Sequence, residues 1–280
     1  RRQRQGKQDV GRVVIKHLLH KSKNMTIGFI GTGKISSAVV EAICTAGNSH
    51  LEIVLSPRGE MNSHRLAERF EQVTRAESNQ EVANRSEIVF IALKTDIYRD
   101  VLRNISFRKE QTIVSFIPFS TISVLSELVA PAHIIGRATP LPSVVNHVCP
   151  IQVFNISPEV RTILGNIGQI LDVETEDQLH TLWTLTCLIS PFYDLMHSIS
   201  NWTTENGVER SITDRYVADL FHSLTLAAVK EEAPDFRVLS KHAATPGGLN
   251  EWAAQSISES GAHSEYARAA THILKLFGNK

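Results

Sequence analysis

The chain has 280 residues, enough for two domains, and its 42% hydrophobic and 21% charged content is that of an ordinary globular protein. Its 29 basic and 29 acidic side chains cancel, so nothing in the charge balance calls for nucleic acid or an acidic membrane as partner. No apolar run approaches the roughly 20 residues of a bilayer span. The three cysteines, Cys44, Cys149 and Cys187, have no paired spacing and the 12 histidines no metal-binding spacing. A cytoplasmic chain without disulfides or a metal site is expected.

Residues 1–24 are strongly basic, with Asp9 the only acid. They read as an N-terminal extension, disordered or non-native, and take no part in the functional argument. From residue 25 to about residue 175 strands and helices alternate. Thr26–Ile30 reads as a short buried strand, followed by Gly31-Thr32-Gly33-Lys34-Ile35-Ser36 and a helix that stops at Gly47. A glycine-rich turn between strand and helix is the dinucleotide fingerprint in its required context. Gly31 permits the tight turn, Gly33 lets the backbone approach a pyrophosphate, and the free N–H groups at the helix start bind it. Thr32, Lys34 and Ile35 belong to the same candidate cofactor site. The next strand, Leu51–Leu55, runs into Ser56-Pro57-Arg58 where an NAD enzyme places an acid on the ribose. A hydroxyl and a guanidinium suit a 2′-phosphate, so the expected cofactor is NADP (NADPH).

Further strands are expected at Glu87–Leu93, Thr112–Ile117, Ile134–Arg137, Ile151–Asn155 and Leu171–Glu174. Ala92 and Lys94, at the carboxyl end of the first of these, should face the cofactor crevice. Helices are expected at Ser63–Phe70, Ile97–Ile105, Ser120–Val129 and Ser157–Leu171. Together they predict a Rossmann-type, doubly wound parallel sheet. From Glu176 to residue 280 the pattern is helical throughout. Leu188, Phe192, Leu195, Met196 and Ile199 form an apolar stripe read as core, with Pro191 as a kink and Gly207 as a stop. Helices follow at Thr213–Glu232, Leu249–Glu259 and Ser264–Phe277. The turn Thr245-Pro246-Gly247-Gly248 opens the helix Leu249–Glu259, where free N–H groups can hold a carboxylate. Trp252, Ala253 and Ile257 are expected to bury one face of that helix and anchor the loop. The helical half has more apolar surface than about 105 residues can cover, so a homodimer through these helices is expected.

Several segments together resemble the pyrroline-5-carboxylate reductase family. Gly28-Phe-Ile-Gly31-Thr-Gly33-Lys-Ile35 is similar to its cofactor motif, and Ala92-Leu-Lys94 to its Val-Lys-Pro turn. Ser115-Phe-Ile-Pro-Phe-Ser-Thr-Ile122 stands where the family has a Ser-x-Ala-Ala-Gly-Ile stretch. Arg137-Ala-Thr-Pro140 is similar to its Arg-x-Met-Pro-Asn segment. Thr245-Pro-Gly-Gly248 is similar to its Ser-Pro-Gly-Gly-Thr-Thr loop. The resemblance implies a Rossmann domain before an all-α dimerisation domain. It also implies NADPH-dependent reduction of the C=N bond of a small cyclic imino acid, of the proline-biosynthesis type. On that pattern Gly247, Gly248 and Leu249 bind substrate, while Asn250, Thr245 and Tyr193 are the catalytic candidates. Asn250 stands where the family has a threonine, Leu141 replaces an asparagine, and Cys187-Leu-Ile-Ser-Pro191-Phe-Tyr193 departs from the family's Ser-Gly-Ser-Gly-Pro-Ala-Tyr. Two rivals stand beside this reading. A β-hydroxyacid dehydrogenase needs a catalytic lysine, and 176–207 contains none. A catalytically silent NADP-binding sensor or scaffold, or a reductase of another imine, is the alternative.

Overall fold

The computed structural model describes residues 24–231 and 233–278. The basic segment 1–23, and with it nearly all of the expected extension, lies outside them. The described residues divide into two compact units, the first ending at Glu176 and the second starting at Asp177.

The first unit is built on one eight-stranded sheet of order β3-β2-β1-β4-β5-β6-β7-β8. Its strands are β1 (Met25–Ile30), β2 (Leu51–Leu55), β3 (Val73–Arg75), β4 (Ile88–Ile91), β5 (Thr112–Ser115), β6 (Ile134–Thr139), β7 (Cys149–Phe154) and β8 (Gly168–Asp172). The helices between them are α1 (Lys34–Thr45), α2 (Glu60–Arg69), α3 (Asn79–Arg85), α4 (Tyr98–Arg103), α5 (Ile122–Leu128) and α6 (Pro158–Gly165). The central strands are apolar on both sides, as a sheet covered on both faces requires. Along β4, Ile88 and Phe90 enter one core and Val89 and Ile91 the other. Phe29, Phe90 and Phe116 stack across β1, β4 and the end of β5, with ring centroids 4.8 and 5.4 Å apart. Each buried ring contributes roughly 1.5–3 kcal/mol.

The sheet is not parallel throughout. β1 to β6 pair in parallel, but β7 runs antiparallel to β6, and β8 runs parallel to β7. Residues 140–148, which link β6 to β7 through a 3₁₀ turn at Pro142–Asn146, are too few for a crossover, so the chain turns back.

Other boundaries also differ from the sequence expectation. The expected helix Ser157–Leu171 ends at Gly165, and β8 begins at Gly168. A Cβ at Gly168 would sit 2.5 Å from the Cys149 carbonyl, so only glycine permits this pairing. The edge strand β3 was not expected, because three residues carry no readable period. Helix α3 was not expected either, having only Val82 and Ala83 buried. Its signal was present in Ser78-Asn79-Gln80-Glu81, a capping box. The Glu81 N–H donates to Ser78 Oγ (3.1 Å), and Glu81 Oε2 accepts from the Glu77 N–H (2.7 Å).

The second unit is helical: α7 (Glu176–Thr184), a 3₁₀ turn (Leu185–Leu188), α8 (Ile189–Glu205), α9 (Arg210–Val229), α10 (Phe236–Ala243), α11 (Leu249–Glu259) and α12 (Ala262–Gly278). Pro191 does not kink a helix. It lies in the first turn of α8, where an N–H would have no intrahelical partner. Helix α10 was not expected; Asp235 starts it, accepting from the N–H groups of Arg237 and Val238. The apolar stripe read as core is open in the single chain, with Phe192 38% and Leu195 40% exposed. Among the described residues no helix is long and apolar enough to cross a membrane.

Candidate active site

The turn after β1 is fastened on both sides. Gly31 has φ +95°, a backbone that side chains resist, and a Cβ there would lie 2.5 Å from the Ala92 carbonyl oxygen. Its N–H donates to Ser56 Oγ (2.9 Å), and its carbonyl accepts from Ser36 Oγ (2.6 Å). Thr32 Oγ1 lies 3.3 Å from the Ser56 carbonyl, and the Asn62 amide donates to the Thr32 carbonyl (3.0 Å). Gly33 differs: a Cβ built there meets nothing within 4 Å. Helix α1 starts at this open point, with no side-chain cap and no acid in its first turn. The first N–H groups of α1, those of Lys34 and Ile35 among them, therefore face a space without a built-in anion. The chemistry of this helix start suits an anion, and a Cβ at Gly33 would stand in open space.

The structure brings the expected cofactor residues together, because β1, β2 and β4 are neighbours and share one carboxyl edge. Ser56 is the exception to its expected role. It is fully buried and its hydroxyl is spent on Gly31, so it braces the turn. Positive charge at the end of β2 then rests with Arg58, which is exposed. Arg58 borders a groove of about 480 Å³ lined also by Ser78, Asn79, Gln80 and Ile97. At the end of β4 the Ala92 N–H donates to the Ile30 carbonyl (2.9 Å), while Lys94 is exposed.

The carboxyl ends of β5 and β6 carry a second fixed element. Arg137 is fully buried in β6 and pairs with Glu176 (2.9 Å). It also donates to the carbonyls of Ile117 (3.2 Å) and Pro118 (2.8 Å), and Glu176 accepts from the Ile122 N–H (2.9 Å). Burial pulls the Arg137 pKa down and the Glu176 carboxylate opposes that shift. The pair holds the loop between β5 and α5, and Ser115 and Ser120 close it with a 3.0 Å hydroxyl contact. In the sequence Arg137 and Ser115 stand out only as points of resemblance, and Glu176 only as the start of the helical half. A lone arginine inside an apolar strand was the available signal, since such a charge needs a buried partner.

In the second unit the loop Thr245–Asn250 forms a tight turn. Gly247 has φ +71°, and the Gly248 N–H donates to the Thr245 carbonyl (2.8 Å). Glu251, which sequence reading did not single out, accepts the Gly247 N–H at Oε2 (2.7 Å). The Asn250 amide donates to the Ala243 carbonyl (2.9 Å). Leu249 is 83% exposed. The expected anchoring of α11 is corrected: none of its residues is buried in the single chain, and Trp252 is 66% exposed. Tyr193 lies on α8, its ring tilted against Phe192.

Residues 26–118 match the family model described as NADP oxidoreductase coenzyme F420-dependent. Pyrroline-5-carboxylate reductase 3 of Danio rerio is 37% identical over 120 residues, 41% of this chain and 41% of that protein. The match thus spans about two fifths of that relative's length. A pyrroline carboxylate reductase of Plasmodium falciparum, solved with NADP bound, superposes with a TM-score of 0.79 at 19% identity, over 91% of this chain and 97% of that one. The 1-pyrroline-5-carboxylate reductase of Streptococcus pyogenes gives 0.80 at 18% identity, over 92% and 100%. The fold is that of the solved pyrroline-5-carboxylate reductases, and the sequence is similar to one such protein over 120 residues.

Against that pyrroline-5-carboxylate reductase-like frame, the glycine turn of β1 keeps the matching residues. One of the departures lies in the loop before α11. Asn250 stands where the resemblance expects a threonine, and one N–H of its amide donates to the Ala243 carbonyl at the end of α10. The Gly247 N–H, expected to meet a substrate carboxylate, is taken by Glu251 of the same chain.

Proposed function

We propose that the chain is an NADPH-dependent oxidoreductase that reduces the C=N bond of a small cyclic imine with a pyrroline-like ring. The observation that carries the cofactor half is the open cradle at Gly33, with an uncapped helix start on one side and Arg58, not an acid, at the end of β2. Gly31, Thr32, Gly33, Lys34 and Ile35 would hold the pyrophosphate, Arg58 the 2′-phosphate, and Ala92 and Lys94 the wall beyond. Bound there, NADPH supplies the hydride, and the protein supplies orientation and electrostatics.

The substrate half rests on the loop Thr245–Asn250, with Gly247, Gly248 and Leu249 as contacts and Asn250, Thr245 and Tyr193 as polar candidates. An asparagine amide is a poor proton donor to a forming amine, so the proton would come from solvent or arrive already on the iminium. The exposed faces of α8, α9 and α11 support a homodimer through the second unit. Steady loss of NADPH absorbance with a cyclic imine, and matching formation of the cyclic amine, is the expected result across a panel of such imines. Tight NADPH binding with no turnover on any of them would favour a silent NADP-binding protein instead. The Asn250 amide, one N–H of which is turned back onto the Ala243 carbonyl, is the observation on that side.

A further inference from the structure

We propose that Arg137 and Glu176 are positioning residues for the nicotinamide end of the cofactor: they shape the loop 116–121 after β5 as its seat. The inference rests on the cofactor half of the function proposed above. The order of the strands fixes where that end must lie. With the 2′-phosphate at Arg58, after β2, and the pyrophosphate at the turn after β1, the rest of the cofactor runs the other way, over β4 and β5. Neighbouring strands are about 4.8 Å apart, so the end of β5 lies roughly 10 Å from the pyrophosphate seat, the reach of a ribose and a nicotinamide ring. The loop there offers half-buried apolar side chains, Pro118 and Phe119, to a flat ring.

What sets the loop comes from outside it. Arg137 stands on β6 two residues after Ile135, and so on the same face, where an apolar side chain would pack. Instead a fully buried guanidinium donates to the carbonyls of Ile117 (3.2 Å) and Pro118 (2.8 Å). Glu176, 39 residues further along the chain, pairs with it at 2.9 Å and accepts the Ile122 N–H (2.9 Å). One ion pair thus grips the loop at both ends. A buried ion pair is often no more stabilising than apolar side chains of the same volume. What it adds here is direction. Two successive carbonyls are turned onto one planar fork, which fixes the backbone between them.

The test separates the two ends of the cofactor. NADPH, and 2′,5′-ADP as its adenosine end alone, are titrated into the full chain, Glu176→Gln and Arg137→Lys; the lysine keeps the charge without the fork. In both variants NADPH should bind about tenfold or more weakly, the scale of one lost hydrogen bond, while 2′,5′-ADP stays within about twofold of the parent. A merely structural pair would lower the urea midpoint and leave both ligands binding the folded variants as they bind the parent. That result overturns the proposal.

Should a variant not fold, the parent decides. Amide hydrogen exchange in residues 116–122 should slow with NADP⁺ and not with 2′,5′-ADP. Equal exchange with either ligand overturns the proposal. A parent that binds neither ligand overturns the cofactor reading and the proposal with it, whereas binding of both without these contrasts overturns the proposal alone.

Discussion

Alanine at Gly31 and at Gly33 should have opposite consequences, and the contrast separates fold from site. At Gly31 the φ of +95° is left-handed, and the new Cβ lies 2.5 Å from the Ala92 carbonyl, far inside ordinary contact. The conformational cost is roughly 1–2 kcal/mol, and relieving the clash adds about 1–3 kcal/mol of overpacking. Gly31→Ala should therefore lose roughly 2–5 kcal/mol of stability in urea unfolding, on the sum of those two effects. At Gly33 the backbone has φ −84°, and an added Cβ meets nothing within 4 Å. Gly33→Ala should unfold within about 0.5 kcal/mol of the parent, as substitutions away from packed features do. Its NADPH affinity should nevertheless fall by roughly tenfold or more, because the methyl enters the space assigned to the pyrophosphate. The assay is a pair of measurements on each variant, a urea midpoint and a fluorescence titration with NADPH. A Gly33→Ala protein that binds NADPH like the parent would show that the cradle is not the phosphate seat.

The remaining expectations are independent of that pair. Arg58→Ala should weaken NADPH binding by about 1.5–3 kcal/mol, a typical charged hydrogen-bond contribution, and leave NADH nearly unchanged; equal losses for both cofactors would remove the phosphate role. Glu176→Gln leaves Arg137 buried without its counter-charge and should cost about 3–5 kcal/mol in urea unfolding. A loss under about 0.5 kcal/mol, the range of ordinary surface changes, would mean that the pair is not what holds the loop after β5. Light scattering should report a dimer at micromolar concentration, and Phe192→Asp, on the open stripe of α8, should shift it to monomer. A parent that is already monomeric contradicts the dimer proposal. Burial pushes the Cys44 thiol up to about 12, so iodoacetamide at about pH 8 should leave Cys44 unmodified in the folded chain.

The sheet was legible where burial dictates composition. β1, β2 and β4 are apolar on both faces, and their ends fall within a residue or two of the expected ones. The glycine turn was legible because its chemistry is local. Other features were not. The reversal at β7 depends on the length of the link through residues 140–148, which no periodicity reports. Helices α3 and α10 are short and announce themselves only through caps at Ser78 and Asp235. The loop before α11 was read as a set of donors from its glycines, but the side chains of Asn250 and Glu251 fold back on it. Which partner a side chain takes among close neighbours is decided by backbone geometry, which a motif does not contain. Likewise, the α8 stripe and Trp252 looked like core because apolar spacing marks a covered face without saying which chain covers it.

Deuteride transfer tests the central claim most directly. NADPH deuterated at the transferable position of its nicotinamide ring is incubated with the protein and 1-pyrroline, and the product is read by mass spectrometry and NMR. An imine reductase gives pyrrolidine with one deuterium at the former imine carbon, formed in step with NADP⁺. Pyrrolidine without deuterium, or NADPH consumed without pyrrolidine, would contradict it.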